Sequence, residues 1–325
     1  MTQHREICRN SAQDSCAPRP AAITDYEDMT MSTAAQTQSH NHIVDPQAFA
    51  FVQSLAAELS KGKVELPSFP DIALRVRKVL SDENVSQDMV VRVVGSEPAL
   101  AARVMQIANS AALNFSGKAI TELRTAIARM GFNMVRSAAI AFAMSQLKKQ
   151  DALKGLEQPL DDLWKRSAAV AAMSHAVARR YSKVNPDTAL LAGLLHGIGQ
   201  LYILTRSAQH PGLFANQVVY AGIVRDWHSA IAKALLENWE MADEVVEAVS
   251  NFEDMEREHT GPVDLTDVVT VGNLLAAFKD HPDTIELNMH DVTACKRMKI
   301  DRADYEQLID ESESEIDTLR QALGA

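Results

Sequence analysis

The sequence predicts an all-α protein, a multi-helix bundle with short loops and no significant sheet. Hydrophobic residues make up 46% of the 325 residues but aromatic residues only 5%, so the apolar content is mainly Ala, Leu and Val, which favours helices over strands. The 13 glycines and 11 prolines are spread thinly. From Asp45 onward, apolar residues recur at the three- and four-residue spacing of a helix face, and neither strand-like alternation nor a fixed repeat interrupts them.

Residues 1–44 are predicted to be a disordered N-terminal tail. They are rich in Ser, Thr, Gln, Asn and Ala, with only isolated large apolar residues such as Ile7 and Ile23. Such a composition buries too little surface to offset the entropy lost on ordering. Because Met29 and Met31 stand just before a Ser/Thr-rich stretch, translation that starts at Met1, Met29 or Met31 fits the sequence equally.

The first helices follow in short order. A leading helix is predicted within residues 45–65, where Asp45 can cap it and Pro46 fits its first turn. After a loop, DIALRVRKVL repeats apolar residues on one face, Ser86 can cap SQDMVVRVV, and Ser-Glu-Pro begins PALAARVMQIANSA. Next come TELRTAIARMG, closed by Gly131, and then FNMVRSAAIAFAMSQL.

The central and later helices carry different surfaces. Two long helices, at about 160–182 and 187–206, hold the most apolar material and are expected at the centre of the bundle. Amphipathic helices are then predicted near 225–239, 241–254, 264–279 and 301–322. The main domain is assigned to residues 66–279, and residues 280–325 to an acidic C-terminal helical segment that fits a cap on the bundle, an oligomer contact or a partner site.

Charge and cysteine content narrow the class of protein. The net charge is −11, and 22 acidic against 7 basic residues lie from Glu240 onward, which disfavours binding to nucleic acid. Arginines give residues 61–149 a modest positive excess, suited either to a solvated surface or to docking an acidic protein. Three scattered cysteines predict no disulfide framework. Apolar runs such as Ala138 to Met144 are too short for a membrane span, so we expect a soluble, cytoplasmic protein.

The common catalytic motifs are absent from the sequence. It contains no GxxxxGK[ST], GxGxxG, GxSxG or HExxH pattern, so phosphate-binding loops, the serine-hydrolase elbow and zincin helices have no support. Acidic pairs such as Asp161-Asp162 and Asp310-Glu311 have the register of solvated helix starts and faces. The remaining point of interest is GLLHGIGQL, which places His196 in an apolar run flanked by Gly193, Gly197 and Gly199.

Several segments, in order, resemble the HDOD family, the signalling relatives of HD-type phosphohydrolases. They are LPSFPDIALRV, SEPALAARVMQIANSA, LWKRSAAVAAMSHAVARR and ALLAGLLHGIGQLYIL, and the match spans roughly residues 66–279. The resemblance implies an all-α domain of the HD type, in agreement with the helical periodicity, and implies that the chain is a non-catalytic bacterial regulatory module that acts through contacts with signalling proteins. No cofactor is expected, and the partner and the oligomeric state stay open.

The resemblance also allows the metal-ligand positions of HD enzymes to be carried across one by one. His196 matches the His of the HD dipeptide, but Gly197 replaces its Asp. Arg166 stands where the pattern LW-x-H-S has a His, and a cation there opposes a divalent metal. His228 matches a histidine frequent in the family. By looser matching, an expected His falls at Phe252 and an expected late Asp at Asn273.

Only His196 and His228 would then survive as vestigial ligand positions, fewer than the three protein ligands usual at a catalytic zinc. We therefore predict no catalytic residue, no catalytic metal and no phosphohydrolase activity. A divergent metal-dependent phosphohydrolase with other ligands, or a nucleotide-binding sensor without turnover, is the alternative.

Two interpretations of His196 remain open. It is either a buried histidine packed between helices that the glycines allow to approach, or part of a metal-free pocket in which Arg166, His196 and His228 bind an anion such as a nucleotide phosphate. Asn109 and Ser110, in IANSA, are expected to hydrogen-bond the helix end as structural residues, and Gly197 is expected to be structural as well.

Overall fold

The computed structural model describes residues 46–310, apart from positions 63, 65, 67–69, 81, 83, 111–113, 115–116, 148–149, 211, 214–215, 281–288, 290 and 302. Within that part of the chain, the regular secondary structure is helical and there is no strand, so the prediction of an all-α fold is confirmed. The predicted tail over residues 1–44 and the end of the predicted last helix lie outside the described residues.

The helices in chain order have the following bounds. They are α1 (Pro46–Ser60), α2 (Asp71–Leu80), α3 (Gln87–Gly95), α4 (Pro98–Ala108), α5 (Leu123–Leu147), α6 (Glu157–Tyr181), α7 (Pro186–Leu195), α8 (Ile198–Ser207), α9 (Gln217–Asn238), α10 (Asp243–Asn251), α11 (Leu265–Phe278) and α12 (Thr293–Met298). A single 3₁₀ turn, Asp151–Leu153, precedes α6, and residues 303–310 are also helical.

Helices α2 to α5 pack together in the first half of the domain. The Ser86 hydroxyl accepts a hydrogen bond from the Met89 N–H at 3.3 Å and so caps α3, as predicted. Pro98 occupies the first turn of α4. The break predicted at Gly131 is a kink inside α5, where this residue has φ 75° and ψ 165°. Only glycine adopts that conformation without strain.

Helices α6, α7 and α11 form the centre of the domain. A Cβ atom built on Gly193 would lie 2.7 Å from Ala171 Cα, so α7 approaches the backbone of α6 too closely for any side chain at this position. Nearly one turn further along α6, a Cβ atom on Gly272 of α11 would lie 2.8 Å from the Ser174 nitrogen. The three helices are therefore in backbone contact, and nearly every residue of α7 is buried.

The predicted helix over 187–206 is wrong in one respect, because the structure divides it into α7 and α8. The two helices meet at His196 and Gly197, which form a turn. The apolar run continues through that turn, so periodicity alone gave no sign of it. Among the described residues, one stretch, Pro186–Ser207, is long and apolar enough to cross a membrane, which the short apolar runs of the sequence did not predict. However, 94% of an 18-residue apolar window within it is buried inside the bundle.

Helix α9 begins earlier than the predicted position near residue 225. The Asn216 side chain accepts a hydrogen bond from the Val219 N–H at 3.3 Å and caps the helix there. Val218 is 83% exposed, so an apolar residue on the solvated face disguises the first turns. Further along, a Cβ atom on Gly199 of α8 would lie 1.9 Å from the His228 carbonyl oxygen, so α8 and α9 also touch through their backbones.

Both ends of the described chain pack onto this core. In α1, Phe51 and Leu55 are buried, and Glu58 accepts hydrogen bonds from Tyr202 and Arg206 of α8. In the C-terminal segment, Met289, Cys295 and Leu308 are buried. The described residues of 289–310 therefore pack on the bundle, which is compatible with the predicted cap, while an oligomer contact or a partner site at this segment stays a prediction.

Candidate functional site

His196 lies at the end of α7 and is 1% exposed. Its Nδ1 is 2.7 Å from the Gly193 carbonyl oxygen. Since a carbonyl oxygen only accepts, Nδ1 must carry the proton in the neutral ring, and Nε2 keeps its lone pair. Nε2 is buried and has no hydrogen-bond partner among the described residues. The free ring atom is therefore an acceptor.

The surroundings of His196 keep its imidazole uncharged. Burial lowers the pKa of His196 to about 3, and the positive charge of Arg166 acts in the same direction, as does His228 to a smaller extent. The hydrogen bond to the Gly193 carbonyl favours the protonated ring but does not outweigh these effects. At neutral pH this histidine is a neutral core residue.

His228, on α9, is 2% exposed, and its Nε2 lies 2.9 Å from a carboxylate oxygen of Glu253. Phe252 stands between the two histidines. Its ring centroid is 5.5 Å from that of His196 and 6.5 Å from that of His228, both in edge-to-face arrangements. Sequence comparison pointed to Phe252 but missed Glu253, whose only signal was its position next to Phe252.

Arg166 and Asn273 form a hydrogen bond between two helices. The Arg166 guanidinium donates to Asn273 Oδ1 at 2.8 Å, joining α6 to α11. Asn273 is buried. The two positions that would hold a His and an Asp in an HD enzyme thus hold a cation and a neutral acceptor in direct contact, and the amide oxygen is already engaged.

Gly197 leaves little room for the missing acid. A Cβ atom built there would lie 3.0 Å from Leu163 Cδ1 and 3.4 Å from Ser167 Oγ. The side chains of α6 therefore fill the space into which an Asp at this position would project. The structure brings Arg166, His196, His228, Phe252 and Asn273 to one region between α6, α7, α9 and α11.

The residues present do not fit the catalytic metal of HD enzymes. Two imidazoles remain, beside a permanent cation and without the acid of the HD dipeptide. Among the described residues, the His, Cys, Asp and Glu side chains that bring three ligand atoms within 4.8 Å of one another are His259, Asp264 and Asp267, at another place. Arg257 and Arg297 lie close to those carboxylates. The negative charge of that cluster is therefore already balanced by two cations.

The proposed anion pocket stays a prediction, although its three residues lie in one region. An anion needs hydrogen-bond donors, and the free atom of His196 is an acceptor. The carboxylate of Glu253 beside His228 adds a negative charge to the same area. These features favour the packed interpretation of His196 over an open phosphate site.

Asn109 and Ser110 lie away from this region, at the end of α4. The Asn109 amide donates to the Met105 and Ile120 carbonyls, both at 2.9 Å, and its oxygen accepts from the Ile120 N–H at 2.8 Å. The Ser110 N–H donates to the Ile107 carbonyl at 3.0 Å. Asn109 thus ties the helix end to the irregular stretch around Ile120 that leads into α5.

The helical architecture and the two remaining histidines define a class, the helical domains related to HD-type phosphohydrolases. The family model of the HDOD domain matches residues 66–255. The chain therefore belongs to the HDOD family, as its sequence motifs predicted. No curated protein matches the chain.

Solved structures share the fold. A candidate metal-dependent phosphohydrolase from Shewanella amazonensis SB2B is 25% identical, with a TM-score of 0.68, and the match covers 85% of this chain and 99% of that one. An HDOD domain protein with unknown function from Geobacter sulfurreducens is 24% identical, with a TM-score of 0.57 and coverage of 83% and 96%. A candidate signal transduction protein from Marinobacter aquaeolei VT8 is 22% identical, with a TM-score of 0.57 and coverage of 86% and 66%.

Proposed function

We propose that this chain is a non-catalytic bacterial signalling module, located in the cytoplasm, that regulates through contacts with other proteins. The observation that carries the proposal is the bond between Arg166 and Asn273. It joins two former ligand positions as a cation and a neutral acceptor, and Phe252 occupies a third between the histidines. A metal-activated water needs anionic or neutral ligands around the ion, and this set supplies a fixed positive charge instead.

Metal analysis of the purified full-length chain tests the absence of catalysis. After expression in metal-supplemented medium, we expect the purified chain to contain far less than one equivalent of iron, manganese or zinc. We also expect no hydrolysis of bis(p-nitrophenyl) phosphate above a buffer control when each metal is added. Near-stoichiometric metal that is lost in His196→Ala would support the divergent phosphohydrolase instead, as would metal-dependent turnover that the same variant abolishes.

The basic surface of the first half supports a protein partner with acidic character. Arg75, Lys78 and Lys118 are exposed, and within the described part of the chain they form no ion pair. Free cations on a surface favour association with a protein of opposite charge and raise its rate of encounter. The acidic residues from Glu240 onward would repel the same partner, so the partner would dock on the basic surface and away from the C-terminal part of the chain.

Charge reversal tests this surface. In crosslinking from a native host, the double variant Arg75→Glu and Lys78→Glu should lose the proteins that the wild type captures. Lys296→Glu, which reverses an exposed lysine outside this surface, should keep them. Equal capture by all three chains would speak against docking on the basic surface.

A nucleotide sensor without turnover is the second candidate, because the charge of Arg166 lies close enough to lower the pKa of His196. Binding to the folded state raises the melting temperature by mass action. The packed site predicts no shift with millimolar nucleotides in either the wild type or Arg166→Ala. A shift in the wild type alone would support the pocket.

A further inference from the structure

The C-terminal segment holds the loop that carries two residues of the site. This loop, residues 252–264, runs from the end of α10 to the start of α11 and begins with Phe252 and Glu253. The family match ends at residue 255, so most of the loop and all of residues 289–310 lie beyond it. The contacts between the two therefore involve residues that the family model does not match.

Arg297, on α12, makes the central contact. Its guanidinium donates to the His259 carbonyl at 3.1 Å and to the Gly261 carbonyl at 3.2 Å, and its Nε lies 3.5 Å from Asp267. Four residues earlier, the Thr293 N–H donates to the Met255 carbonyl at 3.0 Å. The loop backbone is thus held at three carbonyls by one short helix.

Asp267 anchors the far side of this contact. Its side chain is 2% exposed, and its carboxylate lies 2.9 Å from His259 Nε2 and 3.6 Å from Arg257. Arg257 also makes a bidentate pair with Asp264, at 2.7 and 3.2 Å. A buried carboxylate that loses a cationic partner is strongly destabilised, so removal of Arg297 should loosen the loop around it.

The near end of the same loop reaches the His196 and His228 region. The Phe252 carbonyl accepts a hydrogen bond from Thr270 at 2.9 Å, its ring packs against both imidazoles, and Glu253 contacts His228. Met255, whose carbonyl the C-terminal segment holds, is only two residues beyond Glu253. The position of Phe252 is therefore linked to the C-terminal segment by a short, hydrogen-bonded stretch of chain.

We propose that residues 289–310 form a releasable clamp on the 252–264 loop, and that release of this clamp withdraws Phe252 and Glu253 and exposes His196 and His228. The clamp is autoinhibitory in the structural sense, since it keeps the two imidazoles closed off. The contacts that the segment makes with the loop are polar, while its apolar side chains Met289, Cys295 and Leu308 are buried and keep it on the bundle. Release is therefore a local loss of the polar contacts without global unfolding. The proposal concerns access to the site and holds whether or not the chain binds a metal or hydrolyses a phosphate ester.

Hydrogen exchange and histidine labelling of the full-length chain test the clamp. In Arg297→Ala, we expect amide exchange in residues 252–264 to rise by about tenfold or more. Labelling of His196 and His228 by diethyl pyrocarbonate should rise several-fold in the same variant. Lys296→Ala is the matched control, because it removes a neighbouring cation whose ion pair among the described residues is with exposed Asp291, at 3.2 Å. This variant should behave as the wild type.

Amide exchange in residues 71–147, which are distant in sequence from the loop, distinguishes local opening from global unfolding. We expect the exchange rates there to stay unchanged. If Arg297→Ala unfolds throughout, Arg297→Lys decides, since it keeps the charge but lacks the planar fork with which Arg297 contacts both carbonyls. Arg297→Lys should raise the rate of amide exchange in the 252–264 loop and nowhere else. The increase should be smaller than the roughly tenfold rise expected for a folded Arg297→Ala chain. The clamp is refuted if a folded Arg297 variant shows the same rate of loop exchange and the same extent of histidine labelling as Lys296→Ala.

Discussion

His196 should make the stability of the folded chain fall as the pH is lowered. The pKa of this residue is lowered from its ordinary value of 6.5 to about 3, first by burial and then by Arg166. The unfolded chain therefore takes up a proton at this position below pH 6.5, whereas the folded chain does so only near pH 3. Because the unfolded state binds the extra proton, acid favours unfolding.

The magnitude follows from the two pKa values. Between pH 7.5 and 5.5, a group with an unfolded pKa of 6.5 and a folded pKa of about 3 loses about 1.4 kcal/mol of stability. Below pH 5.5 the loss approaches about 1.4 kcal/mol per pH unit and ends near the folded pKa. Above pH 7.5 the contribution is negligible, since the ring is neutral in both states.

His196→Asn isolates this contribution. Its side-chain NH₂ can replace Nδ1 as the donor to the Gly193 carbonyl, but it does not titrate. Urea unfolding of both chains at pH 7.5 and 5.5 gives the change in the free energy of unfolding of each. The titration of all other groups contributes to both changes and cancels in their difference. We expect the wild type to lose about 1.4 kcal/mol more than His196→Asn over this interval. An equal loss in both chains, within about 0.3 kcal/mol, would show that His196 is hydrated or protonated in the folded state.

Three further substitutions, with Gly222→Ala as a control, test a close packing contact, a backbone conformation and a buried charge cluster. Gly199→Ala should cost several kcal/mol in urea unfolding, because its Cβ would lie 1.9 Å from the His228 carbonyl oxygen, whereas Gly222→Ala, with no atom within 4 Å, should be neutral or stabilise α9 by up to about 1 kcal/mol. Gly131→Ala should cost about 1–3 kcal/mol at φ 75°. Asp267→Asn should cost about 3–5 kcal/mol, because it leaves cations in a buried cluster without their carboxylate. Unchanged urea midpoints in any of the three would contradict the corresponding contact.

The helices were predictable where the sequence carries local signals. The periodicity of DIALRVRKVL gives α2 the same bounds as the structure, and Ser86 and Pro98 mark helix starts by their own chemistry. The turn at His196 was not predictable from the pattern, because both α7 and α8 are buried on all sides and their apolar run continues across it. Full burial removes the amphipathic contrast on which such a prediction depends.

The site was predictable in its residue types but not in its contacts. Motif comparison selected Arg166, His196, His228, Phe252 and Asn273, and the structure places them together. The bond between Arg166 and Asn273 joins residues 107 apart, and no local pattern relates them. Glu253 was missed for the same reason, since its role depends on α9 packing against the end of α10.

The contacts at the former ligand positions depend on each other, so no single substitution should restore a metal site. Asn273→Asp alone would pair the new carboxylate with Arg166 rather than release it to an ion. Phe252→His alone would add a third imidazole beside the same cation. Gly197→Asp alone would press its Cβ against Leu163 at 3.0 Å. Because the cation is what a restored carboxylate at position 273 would meet, Arg166 must be replaced first. We expect zinc or manganese to bind only when Arg166→His is combined with restored acids at positions 197 and 273, the former of which also requires Leu163 to move.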